Sequence, residues 1–142
     1  MLNNSVIHFS DAALIAVHAL ATLARNKDNL VQTQALAEEL GSSPHHVAKV
    51  MQRLVHSRLV SSVKGPSGGF TLAIEPSHIS FKTAIEAVDG PLEANFCPFR
   101  SEGCSPDSCI FGKELADHAK ALVKHLSERT IEDIEILKKR KR

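Results

Sequence analysis

The chain has 142 residues, enough for one hydrophobic core and too few for two large domains. Hydrophobic residues make up 43% and charged residues 23%, with no Trp or Tyr, so Leu, Ile, Val and Ala must fill the core, which suits packed helices. The net charge of +1 says little about partners, and the most apolar run, Ala12 to Ala24, is interrupted by His18 and Thr22 and too short to span hydrocarbon.

No signal peptide is expected, because Asp11 falls where charge is disfavoured and no basic segment leads in. The three cysteines are an odd number packed into a short stretch. That fits a reducing, cytoplasmic compartment better than a secreted disulfide framework.

In chain order, Asp11 to Leu23 reads as a buried helix, with Ser10 or Asp11 as its cap and His18 as a packed residue. Gln32 to Leu40 is a short helix stopped by Gly41, a residue that tolerates positive φ. Ser43 as N-cap and Pro44 as first helical residue then start a third helix. There Val47, Val50, Met51, Leu54 and Val55 form one apolar stripe.

Leu59 to Val63 and Phe70 to Ile74 read as strands around a Gly- and Pro-containing turn from Lys64 to Gly69. Ser80 to Val88 is another short helix. Leu92 to Cys109 shows no periodicity and is read as a loop. Ile110 to Leu126 is a long helix whose Leu115, Ala119, Leu122 and Leu126 make a narrow heptad-like seam, the pattern of helix pairing. Thr130 to Asp133 resembles a capping box opening a last helix, and the final run of Lys and Arg reads as a solvated tail in preference to a direct DNA contact.

These elements predict a mainly α fold with a small β-hairpin wing: a winged helix-turn-helix plus a long C-terminal dimerisation helix. Residues 1–80 form the winged helix-turn-helix domain, and residues 81–142 the cysteine loop and the dimerisation helix.

Between Leu40 and Ile74 there is no Asp or Glu, whereas Lys49, Arg53, Arg58 and Lys64 all lie there. A helix with donors and no acids on its exposed face suits the major groove, where purine edges offer acceptors. Ser43, His45, His46 and Lys49 are the candidate base readers. Arg53 and Arg58 are candidates for phosphate contacts, and Lys64 for phosphate or the minor groove. The expected partner is double-stranded DNA. The competing reading is a helical hairpin that merely packs, with a solvated basic face.

Six residues separate Cys97 from Cys104 and four separate Cys104 from Cys109. Three thiolates on a Pro- and Gly-containing loop can bend around one soft metal centre, and Cys109, placed just before a helix, gains from the positive end of its dipole. The residues themselves leave an iron–sulfur cluster, Cys3His zinc, thiol redox chemistry and inert cysteines open.

Phe9-Ser10-Asp11, the wing sequence Val63-Lys64-Gly65-Pro66-Ser67-Gly68-Gly69 and the three-cysteine loop before a long helix together resemble the Rrf2 family of bacterial regulators. The resemblance spans about Ser5 to Ile134. It implies a homodimer, DNA reading by helix and wing, and in many members an iron–sulfur cluster held by three cysteines and one other residue. One branch places a His three residues after the last cysteine, where this chain has Gly112, so the His-ligated [2Fe–2S] arrangement does not carry over. Another branch uses an acidic residue near the N-terminus, supplied by the partner subunit, and Asp11 stands at the matching position. The implied ligand set is therefore Cys97, Cys104, Cys109 and Asp11, with [4Fe–4S] preferred to [2Fe–2S] and His8 as the next candidate. Rival readings are a zinc-binding or thiol-redox winged-helix regulator and a zinc-stabilised protein-interaction module. An enzyme is not expected, because no segment combines a nucleophile, an oriented base and an oxyanion site.

Overall fold

The computed structural model describes residues 5–94, 105–111 and 113–134. Helix α1 (Asp11–Arg25) is the hub: Ala13, Ile15, Ala16, Ala19, Leu20, Leu23 and Ala24 are all buried. Small alanines let neighbouring helices approach closely, while Leu20 and Leu23 supply apolar bulk, at about 1.5–3 kcal/mol per buried large side chain. The helix leaves one exposed face, Asp11, Leu14 and His18. His18 is therefore not a packed residue. Its Nδ1 lies 2.6 Å from the Leu14 carbonyl oxygen, one turn earlier on the solvent side.

Helix α2 (Thr33–Leu40) buries Leu36 and Ala37 and ends at Gly41, whose φ of +64° is left-handed. That conformation lets the Ser42 N–H reach back to the Ala37 carbonyl at 3.1 Å, closing the helix and turning the chain. Helix α3 (Pro44–His56) follows at once. Ser43 caps it by accepting the His46 N–H at 3.1 Å, and Val47, Val50, Met51 and Leu54 are buried. Cap, proline and stripe all lie where the sequence places them.

The hairpin pairs β1 (Val60–Val63) with β2 (Gly69–Leu72), with Val63 opposite Gly69 and Val60 opposite Leu72. The second strand stops at Leu72, short of the expected Ile74. Phe70 also exchanges both backbone hydrogen bonds with Val31, at 2.8 and 3.0 Å, so the wing is pinned to the loop between α1 and α2. A Cβ on Gly68 would sit 2.0 Å from the Val63 carbonyl oxygen, so only glycine closes this turn.

Helix α4 (Phe81–Asp89), capped by Ser80, buries Ala84, Ile85 and Val88 against α1 and α3. Helix α5 (Lys113–Glu128) packs on α4. It begins at Lys113 rather than at the expected Ile110. Ile110 and Phe111 lie in a turn before it and are exposed. The expected seam divides: Leu126 is buried and Leu122 packs against the core of its own chain, whereas Leu115 and Ala119 are only half-buried. The last turn, 131–134, is anchored by Ile131, which is fully buried and donates its N–H to the Ile79 carbonyl. Half of the expected capping box forms there, the Asp133 carboxylate accepting the Thr130 N–H at 2.8 Å. The basic tail lies outside the described residues. Among the described residues, no helix is long and apolar enough to cross a membrane.

Candidate nucleic-acid interface and cysteine site

On α3, His45, Lys49, Gln52 and His56 follow one another at spacings of four, three and four residues, and all are exposed. Helical geometry puts that spacing on one face. His46 is half-buried beside it, and Ser43, at the helix start, is exposed with its hydroxyl oxygen engaged in the cap. The first turn of α3 carries no acid, so its positive dipole end is open to an anion. Lys64 is exposed in the wing turn. The Gln32 side-chain amide donates to the Pro66 carbonyl at 3.1 Å, tying that turn to the start of α2. Nothing in the local sequence around Gln32 announces this contact.

The two arginines sit differently. Arg58 is exposed, just past α3, with a φ of +63°, unusual for any residue but glycine. Its N–H bonds the Val55 carbonyl at 2.9 Å, which holds it in that geometry. Arg53 donates from its guanidinium to the Val88 carbonyl on α4. A guanidinium has several donors, so a phosphate contact is compatible with this bond.

Ser10, not Asp11, caps α1, accepting the Ala13 N–H at 3.0 Å. The Asp11 carboxylate is exposed in the first turn, on the rim of an open groove of about 370 Å³ that His18, Glu39, Ser42 and His46 also line. A candidate cluster ligand and a candidate base reader thus face one groove. The same Ser10 hydroxyl donates to the Asp89 carboxylate, at 2.7 and 2.8 Å from its two oxygens. This pair, 79 positions apart, has no signature in the sequence.

Cys109 is half-buried and follows a short 3-10 turn, Pro106–Ser108, in which Ser105 and Ser108 bond each other reciprocally. Ile110, Phe111 and Gly112 separate it from α5, so it does not stand directly before a helix as the sequence suggests. Cys97 and Cys104 lie outside the described residues. Among the described residues, no group of three or more His, Cys, Asp or Glu side chains is placed to hold a metal ion. The chain enters the cysteine segment past Leu92, whose N–H donates to Glu86 at 2.9 Å. The hydrogen bond from Lys82 to Glu86 holds that carboxyl below its ordinary pKa, with help from Leu92 and the Lys82 charge and against a smaller effect of burial.

Residues 9–135 match the Rrf2 family, described as iron-dependent transcriptional regulators. An HTH-type transcriptional regulator of Aquifex aeolicus is 33% identical over 129 residues, covering 89% of this chain and 90% of that protein. The HTH-type transcriptional repressor NsrR of Streptomyces coelicolor is 29% identical over 132 residues, covering 89% and 84% respectively. The structure of CymR, the global cysteine regulator of B. subtilis, superposes with a TM-score of 0.78 at 21% identity, over 91% of this chain and 96% of that one, which establishes the fold. The family match over nearly the whole length, with helix α3 and the hairpin wing in place, assigns the role: this chain belongs to the Rrf2 family and is a winged helix-turn-helix transcriptional regulator, not an enzyme.

Proposed function

We propose that the protein is a cytoplasmic, homodimeric repressor of a double-stranded DNA operator, and that an iron–sulfur cluster makes it responsive to redox, iron or nitric oxide status. The sign follows the repressor named among its relatives. The observation that carries the sensing role is the capping of α1 by Ser10, which leaves the neighbouring Asp11 carboxylate exposed to act as a ligand. Cys97, Cys104 and Cys109 supply three soft thiolates and Asp11, from the partner subunit, the fourth donor, a set that suits a [4Fe–4S] cluster. The half-buried Cys109 and the exposed Asp11 fit that use. When bound, the cluster supplies an iron centre reactive toward oxidants and nitric oxide.

The protein residues do the rest. Ser43, His45, His46 and Lys49 read bases in the major groove, Arg53 and Arg58 hold phosphates, and Lys64 follows the backbone or the minor groove. Two such units must span half-sites about 34 Å apart, so a ligand contributed across the dimer ties operator fit to the state of the cluster. The test is anaerobic reconstitution of wild type, Cys104→Ala and Asp11→Ala, with iron and sulfide counted per chain. Wild type is expected to hold both elements, Cys104→Ala neither, and Asp11→Ala a labile cluster. Zinc without sulfide in wild type overturns the proposal in favour of a zinc site.

A further inference from the structure

We propose that the C-terminal turn of α4 is the junction through which the cysteine segment acts on the recognition helix, with Ser10 and Asp89 as its positioning residues. The inference rests on the sensing role above and names how that role reaches DNA. Three hydrogen bonds from three separate parts of the chain converge on the four residues Glu86 to Asp89. Arg53 of α3 donates to the Val88 carbonyl, Ser10 at the start of α1 donates to Asp89, and the Leu92 N–H donates to Glu86.

The charges explain the arrangement. Terminal carbonyls of a helix lack partners within it, and its C-terminus favours a cation, which Arg53 provides. A carboxylate at the same end is unfavourable to its own helix. Asp89 is instead set against the positive start of α1, where Ser10 donates to it while accepting from Ala13. The Ser10 hydroxyl is thus used as donor and acceptor together. Val88 in this turn and Ile85 just before it are buried, so the turn cannot shift without repacking α1 and α3. In sequence, Asp11 follows Ser10 directly and Cys97 comes five residues after Leu92. A displacement at either point meets the same helical turn, and Arg53 passes it to α3.

Two substitutions at one position separate this role from ordinary capping. Ser10→Asp keeps a strong N-cap acceptor but sets a carboxylate against Asp89. Ser10→Thr keeps both bonds. Asp89→Ala breaks the same pair from the α4 side, away from the Asp11 side chain. For each variant, iron and sulfide are counted and operator affinity is measured with the cluster loaded and removed. Wild type and Ser10→Thr are expected to change affinity by about 5–150-fold between the two states. Ser10→Asp and Asp89→Ala are expected to bind nearly equally in both. Amide exchange in the last turns of α3 should quicken on cluster removal in wild type and be fast in both states of Ser10→Asp. If Asp89→Ala keeps the wild-type affinity change, the junction is wrong and the sensing role stands. If fully loaded wild type shows no change, the sensing role fails and the junction with it.

Discussion

Arg53 on α3 donates a guanidinium N–H to the backbone carbonyl of Val88 at the end of α4, so a residue expected to face DNA also braces the helix that carries it. Arg53→Ala is expected to lower stability to urea by about 1–2 kcal/mol, the loss of a charge-assisted bond at a helix C-terminus. Arg53→Lys should recover part of that. An unchanged urea midpoint in Arg53→Ala would mean that the bond to Val88 contributes nothing.

Arg58 gives effects of opposite sign. Its left-handed backbone costs a non-glycine residue roughly 1 kcal/mol. Arg58→Gly should therefore stabilise the fold by about 0.5–1 kcal/mol while weakening DNA binding and flattening its salt dependence. A thermal melt and a salt titration of operator binding measure the two. Tighter operator binding by Arg58→Gly would remove Arg58 from the phosphate contacts.

Lys49 and Lys64 separate specificity from affinity. Lys64→Ala should weaken all DNA sequences alike and reduce the salt slope by about one for each phosphate left unneutralised. Lys49→Ala should instead relax base preference, at ~1–3 kcal/mol for each base no longer read. An unaltered ranking of operator variants in Lys49→Ala would exclude it from base reading.

The structure also reassigns the two ends of the α5 seam. Leu122 packs into its own chain, so Leu122→Lys should cost helix content measured by circular dichroism. Leu115 is half-buried outside that core, so Leu115→Lys should keep its helix signal and sediment as a smaller species. Wild-type protein that sediments as a monomer at micromolar concentration would overturn the dimer.

The parts of this fold legible in sequence are those set by near neighbours. Ser43-Pro44 and the stripe from Val47 to Leu54 locate α3, because cap, proline and periodicity are all local signals. The same kind of signal places the start of α5 three residues early, because Ile110 and Phe111 continue the apolar pattern in sequence but lie in a turn before the helix. Apolar neighbours make His18 read as packed, but it lies on the narrow face that α1 turns outward. The contacts that organise the site, Ser10 with Asp89, Arg53 with Val88 and Val31 with Phe70, join residues from 35 to 79 positions apart. No periodicity or cap encodes such pairs, which exist only once the helices pack. Of the proposed cluster site, the sequence names the candidate donors, and the structure adds the exposure of Asp11 and the half-burial of Cys109.

The most direct test of the central claim is one titration of operator DNA with the wild-type protein, before and after its cluster is removed anaerobically, with iron and sulfide counted in the same samples. The sensing role predicts stoichiometric iron and sulfide beforehand and a change in operator affinity of about 5–150-fold on removal, the usual range of coupling between sites. Equal affinity in the two states, with the cluster present at the start and absent at the end, would contradict it.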